Sequence, residues 1–191
     1  MATQIEKQAE IPRPSLLRTI FGMMVNPAAA LRGALAGRWY LSAAVSALAF
    51  GLFFAQTGLD LYKTGQKELI FVLLAAGAGL LYGLAVIPLV AAFLWLVLKA
   101  ARSDQGILQT ISVFCLSYSG ALIYGILGLV FSLALGWKTS VAFGVTGVLW
   151  AIGPMMVAIR ELTGQKRTLS FFLSTLVGAL ILLSWSVFGR L

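Results

Sequence analysis

The sequence predicts an all-α fold: a polytopic integral membrane helical bundle with five transmembrane helices, preceded by an interfacial amphipathic segment. Three observations lead there. The chain is 60% hydrophobic and only 10% charged over 191 residues, with mean hydropathy +0.97, whereas soluble domains run to about 45–50% apolar and about 25% charged. The charges that are present collect in short stretches between long runs that have none. The bases are also shared unequally between alternate stretches, as they are when Lys and Arg fix orientation across a bilayer.

Residues 1–38 read as a cytoplasmic N-terminal segment and 39–191 as the membrane domain. The opening MATQIEKQAEIPRPS is polar and holds two acids. The first long apolar run begins only at Trp39 and exceeds the ~7–15 residues of a signal-peptide core, so the first span is expected to stay in the protein. Within SLLRTIFGMMV, the residues Leu16, Leu17, Ile20, Phe21 and Met24 recur at helical spacing, with Arg18 off that stripe. Asn26-Pro27 then reads as an N-cap followed by proline at the first helical position, starting a second short helix. From Arg13 to Trp39 there are four bases, Arg13, Arg18, Arg32 and Arg38, and no acid. A basic amphipathic segment of this kind is expected at the membrane surface, docked on anionic lipids of the cytoplasmic leaflet. Presenting a partner-binding surface is compatible with that placement.

The expected spans cover 39–59, 69–98, 106–137, 139–159 and 168–189. Each is long enough for a hydrocarbon core of ~30 Å at ~1.5 Å per residue. The second and third are longer than a perpendicular crossing needs and too short to divide, so tilt or projection is expected. Pro88 in the second and Pro154 in the fourth should kink them, because proline removes a backbone bond and crowds the preceding turn. Ten of the fourteen bases fall on the side of the N terminus and four on the other. This places the N terminus in the cytoplasm and, after five spans, the C terminus opposite.

Little in the chain can carry chemistry. No expected span contains Asp, Glu, Lys, Arg or His, which argues against proton relays and ion-coupled transport. The absence of histidine removes His-based triads and facial-triad iron sites, and LTGQKR lacks the second glycine and preceding strand of a phosphate loop. With one cysteine, Cys115, neither an internal disulfide nor a Cys-based metal site is available. No enzyme activity, cofactor, metal or nucleic-acid partner is expected. The polar groups within the runs concentrate on the third: Gln109, Ser112, Ser117, Tyr118, Ser119 and Tyr124. They read either as interhelical hydrogen bonds or as a groove for a lipid head group or small solute. Ala75, Gly79 and Gly83 form a small-residue stripe that brings helix backbones close, within the bundle or at a dimer face.

The layout resembles the Yip1 domain family. The residues that carry the likeness are IFGMMVNPAAAL before the first span, LSYSGAL in the third, and LWAIGPMMVAIRELTGQKRTLSFFLSTLVG across the last two. It extends from Leu16 to the end of the chain. Members often place a proline three residues after the tyrosine, where this chain has Ala121. The short N-terminal segment is similar to that of compact prokaryotic members, and the expected location is a bacterial cytoplasmic membrane. The resemblance implies a non-enzymatic scaffold or adaptor, involved in membrane organisation or in assembly with membrane partners or further copies. Small GTPase binding belongs to the eukaryotic branch, with its longer N terminus, and does not transfer. The alternative is a permease or lipid-handling protein with a neutral polar pathway along the third span.

Overall fold

The computed structural model describes residues 15–34, 39–100 and 105–188, and every regular element among them is a helix. Two short helices come first, α1 (Leu16–Val25) and α2 (Pro27–Ala34). Then follow α3 (Trp39–Lys63), α4 (Leu69–Leu81) and α5 (Ile87–Ala100), the last two joined by a π-helical turn at Tyr82–Val86. Next are α6 (Ile107–Leu116) and α7 (Ser119–Leu135), separated by a break at 117–118. A π-helical turn at Ser140–Val145 leads into α8 (Thr146–Leu162), and α9 (Arg167–Phe188) completes the set.

Five of the resulting continuous helices are long and apolar enough to cross a membrane: Trp39–Lys63, Leu69–Ala100, Ile107–Leu135, Ser140–Leu162 and Arg167–Phe188. They coincide with the five charge-free runs, with differences at the ends. The third closes at Leu135 because Gly136 takes the left-handed conformation (φ 68°), a helix stop that glycine adopts without a Cβ clash. The first runs on past residue 59 to Lys63, so Asp60 and Lys63 are helical residues and not loop charges.

The axis of the bundle is α3, whose most apolar stretch is 72% buried, against 28% for Leu69–Ala100 and 22% for Arg167–Phe188. It packs on α4, α6 and α7. Small residues set how closely. Gly79 lies against the carbonyl of Phe50 and Gly83 against that of Ser46, where a Cβ would overlap the α3 backbone. Ala75 is fully buried and faces Gly58, at which an added Cβ would stand 3.2 Å from the Ala75 Cβ. The Ala75–Gly79–Gly83 stripe therefore seals the chain's own α3–α4 contact and is covered within the monomer.

At Pro88 the helix departs from regular α geometry. The proline cannot donate to the preceding turn, and the turn before it widens to π geometry, with the Ile87 N–H reaching the Tyr82 carbonyl. Ser46 Oγ donates to the Gly83 carbonyl inside this turn at 2.8 Å, supplying a partner from the neighbouring helix. By contrast α8 runs through the buried Pro154 without interruption.

α1 starts at Ser15, whose side chain accepts the Arg18 N–H, and α2 starts at Asn26, whose Oδ1 accepts the Ala29 N–H at 3.1 Å. The two helices fold onto each other where Gly22 meets Ala30, and a Cβ added to Gly22 would stand 3.1 Å from the Ala30 Cβ. The pair packs on the bundle, α1 against α7 and α2 against α8. Thr19, Ile20, Met23 and Leu31 are buried there, while Leu17, Phe21 and Val25 stay exposed. The segment is thus apolar on two faces, one turned to the bundle and one away from it. Arg18 is exposed. Arg13 and Arg38, and the side chain of Arg32, lie outside the described residues.

Candidate functional site

The polar residues of the third long helix gather at the break at 117–118, and nearly all sit in closed packing. Residues 112–122 are buried without exception. Ser112 shares a hydrogen bond of 2.8 Å with Ser42 of α3. Ser117 Oγ donates to the Val113 carbonyl at 3.1 Å and Ser119 Oγ to the Leu116 carbonyl at 2.7 Å. Hydroxyls bonded back to their own helix in this way compete with backbone bonds and bend helices, which accounts for a break with Ser on both sides of Tyr118. The Tyr118 ring is wedged between Phe50 (5.0 Å between centroids) and Phe114 (5.9 Å). Its hydroxyl is buried with no hydrogen-bond partner. Tyr124 is half-buried against Trp150 at 6.1 Å, and Gln109 is half-buried one turn into α6. Ser117, Tyr118 and Ser119 thus lie together at the break, while Gln109 and Tyr124 sit further along the same long helix, nine residues before and six after Tyr118.

A second polar group lies at the opposite end of α3, and of its members the sequence singles out only Gln56, as a polar side chain within the first span. Gln56 Nε2 donates to the Gly125 carbonyl at 2.7 Å while its Oε1 is buried without a partner. Trp185 Nε1 donates to Thr57 Oγ1 at 2.9 Å. The Asp60 carboxylate accepts the N–H groups of Thr139 (3.1 Å) and Ser140 (2.8 Å). The Lys63 ammonium donates to Ser132 Oγ and to the carbonyls of Ser132 and Trp137, at 2.6, 2.6 and 3.0 Å. A cavity of about 280 Å³ borders this group, between Thr57, Asp60, Ser140 and Trp185. Its acid and base both hold backbone, so the arrangement anchors the α7–α8 connection. A further signal available in the sequence is the spacing of Asp60 and Lys63, three residues apart and hence on one helical face. Among the described residues no three His, Cys, Asp or Glu side chains come together as a metal site would need.

The third feature is apolar. The helices α4–α5 and α9 run antiparallel and touch at one end, where Phe71 stacks on Phe188 (6.0 Å) and Tyr82 shares a 2.8 Å hydrogen bond with Ser184. Beyond that they part, leaving a groove of about 650 Å³ lined by Leu89, Phe93, Leu94, Trp95, Leu173, Leu176, Val177, Leu180 and other apolar side chains. The Trp95 indole N–H is held by the Gln105 carbonyl at 3.0 Å. Comparison with protein-family models, with characterised proteins and with solved structures finds no match to this chain.

Proposed function

We propose that the chain is a non-enzymatic integral membrane scaffold of the Yip1 type. In this reading it crosses a bilayer five times, N terminus cytoplasmic and C terminus opposite, and its outer helices meet lipid and membrane partners. The bacterial cytoplasmic membrane is the setting that fits. The observation that carries the reading is the contrast between a buried α3 and outer helices that are largely uncovered. Leu73, Leu74, Leu81, Leu89, Phe93, Leu176, Leu180 and Leu183 are all more than half exposed. Apolar faces on this scale mark membrane or protein contact, and packing between helices in lipid relies on such faces together with small residues.

The rival reading is a permease with a neutral pathway along α6 and α7, and the observation on its side is the helix break with its unpartnered Tyr118 hydroxyl. Against it stands the closed packing of Ser112, Ser117 and Ser119. Reconstituted flux of small neutral solutes separates the two. The scaffold reading expects no flux above empty vesicles, whereas flux abolished by Ser117→Ala and Ser119→Ala would replace it. Cross-linking in native membranes, with and without charge reversal at Arg13, Arg18, Arg32 and Arg38, should capture membrane partners whose yield falls on reversal.

A further inference from the structure

We propose that the groove between α5 and α9 is a binding site for one acyl chain of an anionic phospholipid, with the phosphate held by Lys99, Lys166 and Arg167 at one end. The inference rests on the membrane reading above and adds the ligand and the residues.

The lining is uniformly apolar, so the occupant must be hydrocarbon over the whole buried length. That length is limited. On α9 the lining residues Leu173, Leu176, Val177 and Leu180 fall at the i, i+3, i+4, i+7 positions of one face, which covers about 10 Å of helix. On α5 the lining runs from Leu89 to Val97, about 12 Å. A transmembrane helix needs about 30 Å of apolar contact, well beyond the roughly 10–12 Å lined here. A single-leaflet chain, reaching about half of a ~30 Å core, matches its length.

Charge selects the head group. From the Tyr82–Ser184 contact the groove runs toward the C terminus of α5 and the N terminus of α9. Lys99 stands one turn beyond Trp95 and Leu96 on α5, and Lys166 immediately precedes α9, seven residues before Leu173. Arg167 is the first residue of α9. Lys99, Lys166 and Arg167 are exposed. The described acid at this end, Glu161, accepts from Gln165 at 3.2 Å. Three exposed bases that follow the apolar lining at this end of α5 and α9 complement a phosphate attached to a hydrocarbon chain. The same three lie on the side with the larger share of Lys and Arg, so the leaflet is the cytoplasmic one.

The test uses the full chain reconstituted in phosphatidylcholine vesicles doped with a photoreactive-acyl phosphatidylglycerol, and separately with the phosphatidylcholine analogue. Labelled peptides are mapped by mass spectrometry. The glycerol lipid should label 89–97 and 173–180 several-fold above the exposed face of α7 at Val130 and Leu133, and above the choline analogue. The triple variant Lys99→Gln, Lys166→Gln, Arg167→Gln should lose that preference, so that the two lipids label the groove equally. Leu176→Trp, which fills the groove without altering charge, should reduce labelling of both lipids there. Even labelling of all exposed faces, equal labelling by the two lipids, or cross-links from this groove to a second copy would each overturn the proposal. Release of the protein from vesicles by alkaline carbonate would instead overturn the membrane reading on which it rests.

Discussion

Asp60 and Lys63, one turn apart on α3, hold two different helix ends through opposite charges. The carboxylate of Asp60 accepts the N–H groups of Thr139 and Ser140 where the fourth long helix begins. The ammonium of Lys63 donates to the Ser132 and Trp137 carbonyls where the third one ends. Helix starts leave N–H groups without partners and carry partial positive charge, and helix ends leave carbonyls and partial negative charge. One face of α3 thus supplies each terminus with the sign it favours, and the α7–α8 connection is held in between.

Asp60→Ala should lower stability by about 0.5–2 kcal/mol, the range for loss of an N-cap acceptor. Lys63→Met should cost a similar amount by leaving carbonyls unpaired, about 1–3 kcal/mol. Because both residues hold one connection, the double variant should lose less than the two single losses together. Thermal unfolding in detergent, followed by circular dichroism, measures all three.

Alanine substitutions on α4 and its π turn should separate sharply by position. Gly79→Ala and Gly83→Ala put a Cβ into the α3 backbone and should drive the helices apart, with little folded protein recovered. Gly77→Ala meets nothing within 4 Å and should be neutral or gain up to about 1 kcal/mol from helix propensity. Size-exclusion profiles and melting curves distinguish these outcomes.

The Ser42–Ser112 bond joins α3 to α6 at a buried site. Removing one hydroxyl strands the other, so each of Ser42→Ala and Ser112→Ala should cost roughly 0.6–2 kcal/mol. The double alanine variant should recover part of that loss, since no buried polar atom is left unpaired. A double-mutant cycle on melting curves gives the coupling.

Gln56 has one amide end bonded to the Gly125 carbonyl and the other buried alone. Gln56→Glu should therefore be tolerated only as the neutral acid, so the variant should be stable at low pH and destabilised as pH rises through the raised carboxyl pKa. Gln56→Met should show no such pH dependence. Unfolding midpoints from pH 4 to pH 9 test the contrast.

Much of the fold was legible because its signals are local. Five uncharged runs became five long helices, Pro88 marked an irregular turn, and Ala75, Gly79 and Gly83 marked a close helix contact. What could not be read were the partners across the sequence. Asp60 looked like a charge that ends a span, because its acceptor role depends on N–H groups of Thr139 and Ser140, about eighty positions away. The serines around Tyr118 were identifiable as a group, but sequence does not say whether such hydroxyls face a channel or their own helix carbonyls. The periodicity of α1 picked out the face bearing Leu17 and Phe21. It passed over Thr19 and Met23, since contact with α7 is a tertiary fact.

The π turn at Tyr82–Val86 has a consequence for the phase of the helix that contains it. Residues Ala75, Gly79, Gly83, Ile87 and Ala91 are all buried, at uniform steps of four. On an ideal helix of ~3.6 residues per turn, each such step advances the stripe by about 40°, enough to wind it off the bundle within a few turns. The surplus residue in the widened turn takes up part of that advance. The half before it can then address α3 and the half after it α6, each squarely. Shortening this turn by one residue would leave α4 seated and swing the whole of α5, with its side of the groove, out of alignment by roughly a quarter-turn.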